Sequence, residues 1–515
     1  MNILRCCLIA LVLTATVGVS GCSAEPGDQK ALVAAATPTR TLVGMNISGV
    51  IDWSSQIVFV DVHKASRPWM KSQSDLEAVA RDERGNLRLA EGQQLEIYML
   101  TLEGPYQPAG EYTATWKGSG DVSMGRFIVD GEPDVSPGRI RAKVTPRAGA
   151  LVMSILGKDP QDPPRDIHVW MPGFENAKDP FYPPFLERLK PFGVLRFMDM
   201  GQTNNNPLVQ WTARPKLEDA RYSTERGVPI EVMVDLANRL QANPWFCVPH
   251  QADDVYVREF ARLVRQRLDP KLTAYVEYSN EVWNGIFAQA GYAAGKGREL
   301  GLSQNAFQAQ LRYYSQRSVE IFDIWETEMG RDRIIRVMSA QAANPWTSEQ
   351  VLEWKDAHEK TDVLAIAPYF GGGFGDPSRQ EETAALDVNA LLDRLETEID
   401  TENRDMIRAQ KKVADRFGVS LVAYEGGQHL VGHGGAENNQ KLTDLFIAAN
   451  RSPRMYGLYR KYLNHWFSEG GGLFVAFSNV GQPSKWGSWG ALEWQDQPLD
   501  QAPKYRALVD HIRGR

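Results

Sequence analysis

The chain has 515 residues, of which 43% are hydrophobic and 23% are charged. This balance indicates a folded globular protein and excludes a disordered chain. The net charge of -7 and the lack of a Lys/Arg stripe interleaved with aromatic residues exclude a nucleic-acid partner. The length allows one large domain together with a smaller module.

The N-terminus has the pattern of an export signal. Arg5 precedes an apolar stretch, residues 8–19, which has the length of a signal-peptide core and is too short to span a bilayer. The run Val19-Ser20-Gly21-Cys22 follows and resembles the lipobox of bacterial lipoproteins. This resemblance implies that residues 1–22 are a lipoprotein signal peptide and that Cys22 carries the lipid anchor. A plain cleaved signal is the alternative.

The residue after Cys22 bears on the location. Ser23, rather than Asp, resembles the signals of lipoproteins sorted to the outer membrane of Gram-negative bacteria. We therefore expect an exported, membrane-anchored protein at the outer membrane, in the periplasm or at the cell surface. Cys6 and Cys7 leave with the signal, so Cys247 is the one cysteine of the folded body and no intramolecular disulfide is expected. Cys247 lies in an apolar run and is predicted to be a buried core residue.

After a linker at residues 23–40, short apolar runs alternate with long amphipathic segments, as in βα units around a parallel sheet. One such helix is predicted at residues 253–268, with an aspartate as its N-cap. Eight strands, with helices after nearly all of them, predict an α/β fold, specifically a (β/α)8 TIM barrel; an open doubly wound sheet is the alternative. The predicted barrel strands are residues 42–47, 193–198, 245–248, 273–278, 334–338, 363–367, 420–424 and 473–477.

A long segment with a different pattern separates the first two predicted strands. Residues 87–156 are rich in β patterns and turn signals such as Pro108-Ala109-Gly110. We interpret residues 71–164 as a small β-sandwich module, and residues 41–70 plus 165–515 as the barrel. In the alternative, residues 167–171 form the first barrel strand and residues 41–160 are a separate N-terminal β domain.

Two predicted strands end on glutamates. Asn280 and Glu281 follow the fourth strand, and Glu425 follows the seventh. Active sites of such barrels form at the C-terminal ends of the strands, and strands four and seven face each other. This arrangement resembles the clan A glycoside hydrolases, retaining enzymes on this fold, over the barrel portion of the chain. The resemblance implies that Glu281 is the general acid/base, Glu425 the nucleophile and Asn280 the group that binds the sugar 2-hydroxyl.

Glycoside hydrolysis needs two carboxyl groups, because one protonates the departing oxygen while the other attacks the anomeric carbon. Burial should raise the pKa of Glu281, while cationic and hydroxyl donors should keep Glu425 ionised. Arg196, at the end of the second strand, is the expected cationic partner. Tyr369 and His250, which end the sixth and third strands, match positions where clan A enzymes carry polar active-site residues.

Further substrate-binding candidates lie in loops after the strands. Many clan A enzymes carry a Trp close to the end of strand eight, but here this strand ends Phe477-Ser478-Asn479 and the tryptophans come later. The sequence leaves open which of them forms the floor of the sugar site. Trp53 and Trp69 flank the first strand and are weaker candidates to reach the cleft. The substrate-binding candidates in these loops are Asn205 within the run Asn204-Asn205-Asn206, Trp283, Trp486 and Trp489.

No metal and no cofactor is predicted. His429 and His433 have the spacing of ligands on one helical face, but they lack the acid base of a zinc-protease motif and lie among glycines. The glycine run at residues 371–375 lacks a P-loop lysine, and a Gly-x-Ser-x-Gly elbow is absent from the sequence.

The predicted function is that of a monomeric glycoside hydrolase. It would cleave a β-linked polysaccharide or oligosaccharide by double displacement. The alternative from another class is a surface polysaccharide-binding lipoprotein without turnover. The sequence leaves the sugar open between β-glucan, mannan, xylan and an exopolysaccharide.

Overall fold

A computed structural model describes residues 41–71, 81–82 and 85–514. The predicted signal peptide, the lipidation site Cys22 and the linker lie outside the described residues. None of the described helices combines the length and the hydropathy that a membrane-spanning helix needs.

The first strand, β1 (Val43–Asn46), is followed by two small antiparallel sheets. One sheet has the strand order β2-β7-β4 and the other β5-β6-β3-β8. Their inward residues form a hydrophobic core separate from that of the barrel. The strands are β2 (Gln94–Leu102), β3 (Gly110–Lys117), β4 (Gly120–Gly125), β5 (Val129–Ser136), β6 (Arg139–Val144), β7 (Gly149–Gly157) and β8 (Arg165–Trp170).

The chain then returns to the sheet that contains β1. Among the described residues, eight parallel strands close a barrel in the order β1-β15-β14-β13-β12-β11-β10-β9. Both neighbours of β1 belong to this barrel, which confirms the predicted TIM barrel and excludes an open sheet. The remaining strands are β9 (Val194–Arg196), β10 (Asn243–Val248), β11 (Ala274–Tyr278), β12 (Ile334–Ser339), β13 (Val363–Ile366), β14 (Ser420–Ala423) and β15 (Phe474–Ala476).

Helices surround the barrel because each buries one apolar face against the strands. In α3 (Asp254–Arg267) the buried face includes Val257, Phe260 and Val264, and Asp253 accepts the backbone N–H of Tyr256 as the N-cap, which confirms the predicted helix. The other helices are α1 (Pro183–Leu189), α2 (Ile230–Leu240), α4 (Ala288–Glu299), α5 (Ala306–Met329), α6 (Pro345–Glu353), α7 (Gln380–Ala384), α8 (Val388–Glu398), α9 (Arg404–Arg416), α10 (Gln440–Arg451), α11 (Arg454–Ser468) and α12 (Pro503–Ile512).

Residues 167–171, the alternative first barrel strand, lie instead at the end of β8 in the module and just after it. In β8 the burial alternates, with Ile167 and Val169 packed in the module core. A strand of a parallel barrel is covered on both faces, as β10 is, and its residues are buried without alternation. β8 also lies beyond the predicted end of the module at residue 164. The domain boundaries themselves stay a prediction.

The module is held to the barrel by specific contacts. The ring of Tyr106 stacks on that of Trp494, in the segment after β15, at 4.6 Å between centroids.

Two sequence predictions concern buried side chains. Trp69 is only 4% exposed and packs in the module core, so the suggestion that it reaches the cleft is wrong. Cys247 is buried in the barrel as predicted.

Candidate active site

Arg196 is the centre of a hydrogen-bond network at the C-terminal end of the barrel. It ends β9, and its side chain is fully buried. Its Nε and Nη2 donate to Oε2 of Glu277 at 3.1 and 2.8 Å, and its Nη1 donates to Oε1 of Glu425 at 2.9 Å. Asn46 and Asn280 accept two further N–H bonds through their Oδ1 atoms. One guanidinium therefore links the ends of four barrel strands.

Glu425 lies just after β14 and is 5% exposed. Besides the bond from Arg196, its Oε2 accepts the hydroxyl of Tyr369 at 3.0 Å. The Tyr369 ring lies edge-on to the rings of His429 and Trp489. Both predicted partners of Glu425 are thus in contact with it, each through a different carboxylate oxygen.

Glu281 follows β11 and is held by different donors. The hydroxyl of Tyr424 donates to Oε1 at 2.9 Å, and Nδ2 of Asn284 donates to Oε2 at 2.8 Å. The backbone at Glu281 is left-handed, with φ of 42°, and Ser279 has φ of 60°. Such conformations are costly for residues other than glycine and concentrate at functional sites. Because Tyr424 directly precedes Glu425, the two candidate catalytic carboxyl groups are connected across the barrel.

Glu277 is a buried member of the network that the sequence reasoning missed. Its Oε2 accepts bonds from Arg196 and from Nε1 of Trp245 at 2.8 Å, and its Oε1 accepts the hydroxyl of Ser339 at 2.6 Å. The Sγ of Cys247 lies 3.4 Å from Oε2. The available signal was a single charge inside the apolar strand, since a buried charge must be paired.

The asparagines after β9 make different contacts, and one of them positions Asn280. Nδ2 of Asn280 donates to Oδ1 of Asn204 at 3.1 Å, and Asn204 also accepts a bond from Gln289. The side chain of Asn205 instead accepts the backbone N–H of Ala288 at 2.7 Å, at the start of α4. Asn204 is therefore the residue of the predicted run Asn204-Asn205-Asn206 that bonds Asn280. The Oδ1 atom of Asn205 is thus engaged with α4. Its predicted sugar contact stays a prediction.

His250 and Trp283 are less directly connected to the carboxyl pair. His250 is 4% exposed, its ring lies edge-on to Tyr292, and its buried Nδ1 has no hydrogen-bond partner. Burial lowers its pKa, so the ring is neutral near pH 7. Trp283 packs against the barrel core and does not line the cleft described next. Their substrate-binding roles stay predictions.

An open cleft of about 680 Å³ lies among the segments that follow β1, β9 and β15. Its walls include Trp489 and Phe477, whose rings also pack against Tyr369. Trp53 and Trp486 line the same cleft and are exposed by 58% and 64%. The tryptophan that takes the place next to strand eight is thus Trp489, while Trp486 lies at the rim.

The two candidate catalytic carboxyl groups titrate together. Burial raises the pKa of Glu425 to about 8, against the lowering effect of the Arg196 charge. Burial also raises the pKa of Glu281, against the hydrogen bonds from Asn284 and Tyr424. The expectation that cationic and hydroxyl donors keep Glu425 ionised is contradicted, because burial outweighs the lowering of its pKa by Arg196 and Tyr369. Burial favours the protonated form of both carboxyl groups, and a glycosidase pair needs one proton before reaction.

A third carboxyl group lies at the edge of the pair. Asp199 follows β9 by three residues and lines the cleft. Burial raises its pKa to about 6, although the charge of Arg196 acts in the opposite direction. Over the part of the chain that the structure describes, no cluster of His, Cys, Asp or Glu residues could hold a metal ion.

No protein-family model matches this chain, and no curated protein matches it. The GH51 arabinofuranosidase from Xanthomonas axonopodis pv. citri is 12% identical, with a TM-score of 0.38, over 65% of this chain and 66% of that protein. A GH5-4 broad specificity endoglucanase from Clostridium acetobutylicum is 11% identical, with a TM-score of 0.36, over 65% of this chain and 92% of the endoglucanase. The GH10 protein from Paenibacillus barcinonensis is 12% identical, with a TM-score of 0.34, over 64% of this chain and 90% of that one. These similar structures carry glycoside hydrolase designations, and at such low likeness no conclusion about this chain is drawn from them.

Proposed function

We propose that this chain is a retaining glycoside hydrolase in which Glu281 is the general acid/base and Glu425 the nucleophile. The observation that carries the proposal is the pair of carboxyl groups at the C-terminal end of the barrel. Glu425 accepts bonds from Arg196 and Tyr369, whereas Glu281 accepts bonds from Tyr424 and Asn284. Two carboxyl groups with separate partners suit two separate roles.

In this mechanism the proton shared by the pair resides on Glu281 when the sugar is bound, and Glu281 gives it to the departing oxygen. Glu425 attacks the anomeric carbon and forms a glycosyl-enzyme intermediate, which a water molecule activated by Glu281 then hydrolyses. Arg196 and Tyr369 hold the attacking carboxylate by one oxygen each. Asn280, fixed by Arg196 and Asn204, is the donor for the sugar 2-hydroxyl.

A hydrolysis screen tests the proposal. The protein comprising residues 23–515 is incubated with β-glucan, β-mannan, xylan and bacterial exopolysaccharides, with Glu425→Gln in parallel. Release of oligosaccharides by the wild type alone supports the proposal and identifies the glycan. Product anomers followed by NMR separate retention from inversion. Binding without cleavage by both proteins would contradict it and favour the polysaccharide-binding alternative.

We also propose that the protein is an exported lipoprotein anchored through Cys22. The support is the lipobox-like run that ends at this cysteine. In a Gram-negative host, the wild type should partition with membranes and incorporate a labelled fatty acid, whereas Cys22→Ser should incorporate none. Equal labelling of both proteins would contradict this assignment.

A further inference from the structure

The cleft lined by Phe477 and Trp489 is built jointly by the barrel and the inserted module. On the barrel side it is lined by Trp53, in the segment after β1, and by Trp486 and Trp489, after β15. On the module side it is lined by residues 101–103, at the end of β2 and just after it. The module therefore contributes a wall to this cleft.

This wall is attached rigidly to the segment that carries Trp53. The backbone N–H of Thr101 donates to the carbonyl of Asp52 at 2.7 Å. The Asp52 side chain is fully buried and accepts Nη2 of Arg67 at 2.6 Å. Arg67 also lies over the ring of Tyr98, in β2. Trp53 is thus held next to the module by its neighbour Asp52, while its own side chain remains exposed.

The position of the cleft relative to the carboxyl pair indicates which part of a glycan it would hold. Phe477 and Trp489 line the cleft and contact Tyr369, the partner of Glu425. Neither candidate catalytic carboxyl group lines it, and its lining reaches the pair through Tyr369, on the Glu425 side. The leaving group departs from the side of the acid that protonates it, so the cleft extends on the opposite side, toward the glycone.

The chemistry of the lining favours uncharged sugar units. Among the described residues that line it, Asp199 and Glu103 bear negative charge and none is a lysine or arginine. A chain of uronates would meet these two carboxylates, while Lys485, the cation beside the cleft, lies over the ring of Trp486 and already donates to Oδ1 of Asn438. The exposed ring of Trp53, and the face of the Trp486 ring opposite Lys485, offer flat apolar surfaces to the C–H faces of sugars.

We propose that this cleft binds the glycone-side units of an uncharged glycan chain, and that Trp53, Trp486 and the module wall at residues 101–103 are its sugar contacts. This inference rests on the proposed function. It assigns to the inserted module a share in substrate recognition, and it predicts that affinity grows with the number of sugar units.

The test measures binding to the Glu425→Gln protein by calorimetry, with the hexamers and dimers of the β-1,4-linked glucose, mannose and xylose series. The tightest hexamer is then measured against Trp53→Ala and Trp486→Ala, each in the Glu425→Gln background. Each substitution should weaken hexamer binding roughly tenfold, which corresponds to about 1.4 kcal/mol, and leave dimer binding unchanged. Trp346→Ala is the matched control, because Trp346 is 37% exposed and lies at the start of α6, away from the cleft.

A β-1,4-mannuronate hexamer, which differs from mannohexaose by its carboxylates, should bind at least tenfold more weakly than the best neutral hexamer. Tighter binding of the mannuronate, equal affinities of Trp53→Ala and Trp346→Ala for the hexamer, or no binding by any neutral hexamer would overturn the inference. If the wild type cleaves a glycan but the tryptophan variants bind normally, the inference fails and the proposed function stands. If hexamers bind in a Trp53-dependent manner but nothing is cleaved, the proposed function fails and the cleft assignment stands.

Discussion

The guanidinium of Arg196 and the carboxylate of Glu277 form an ion pair in which both side chains are fully buried. Arg196 also bonds Glu425, so one cation serves two carboxyl groups. Arg196 directs two N–H bonds to Glu277 and one to Glu425. Glu277 is held in addition by Trp245 and Ser339. Burial raises the pKa of Glu425 although Arg196 donates to it directly.

Arg196→Met should destabilise the fold as well as abolish activity. Removing one partner of a buried pair leaves an uncompensated charge on Glu277, which typically costs about 3–5 kcal/mol. Urea denaturation measures the loss. The matched control is Arg336→Met, since Arg336 is equally buried and pairs with Asp362. It should lower stability less, because Asp362 keeps Arg331 as a partner, and its folded fraction should keep kcat. A stable Arg196→Met protein would contradict the interpretation of Glu277 as a buried charge.

Much of the barrel could be predicted from the sequence, because strands covered on both faces appear as short apolar runs. The carboxyl groups at strand ends could be placed for the same reason, since a parallel barrel brings all C-terminal strand ends to one side. Glu277 was not predicted as a site residue because it lies within the strand rather than at its end. Its partner Arg196 is 81 positions away along the chain, and only closure of the barrel brings the two together.

The contacts of individual loop residues could not be predicted from the sequence. Asn204, Asn205 and Asn206 are identical in type, and their division of roles depends on the left-handed backbone at Asn205, with φ of 58°. That conformation directs one side chain to Asn280 and the next to α4. Similarly, Trp53 and Trp69 both flank the first strand, but one lines the cleft and the other is buried in the module. Local sequence does not encode these differences, since tertiary packing decides them.

Tyr369→Phe should lower kcat and move the acidic limb of the pH profile to higher pH. The Tyr369 hydroxyl donates to Glu425 and lowers its pKa, so its loss raises that pKa further. A hydrogen bond to a charged group contributes about 1.5–3 kcal/mol, or roughly 10- to 100-fold in kcat. Tyr462→Phe is the control, because this buried hydroxyl donates to the Pro368 carbonyl instead. Equal changes in both variants would argue against a specific role.

Stability should depend on pH through Glu425. Its folded pKa of about 8 lies above the ordinary value of 4.5. The folded state therefore binds more protons between these values, and the contribution to stability is complete below about pH 4.5 and lost as pH rises through about 8. The free energy of unfolding of the wild type, relative to Glu425→Gln, should fall across this window.

Asp199→Asn provides the comparison for that experiment. The same reasoning applied to Asp199, whose pKa rises from 3.8 to about 6, places its window at lower pH. Urea midpoints at pH 4, 6 and 8 separate the two groups. Parallel curves for the wild type and Glu425→Gln over the whole range would show that Glu425 is not protonated preferentially in the folded state.

Glu281→Ala should distinguish the acid/base from the nucleophile. Without the acid, a substrate with a poor leaving group is hydrolysed slowly, but an activated aryl glycoside still forms the glycosyl-enzyme on Glu425. Azide needs no general base, so it should restore turnover and yield a glycosyl azide of retained β configuration. Asn284→Ala serves as the comparison. Tyr424 and Asn284 both donate to the Glu281 carboxyl group, so this variant removes one of the two bonds and keeps the acid. It should lower kcat modestly and show no azide rescue. An α-glycosyl azide from Glu281→Ala would reverse the two roles, because it would mean that azide attacked the substrate directly in place of the missing Glu281 carboxylate.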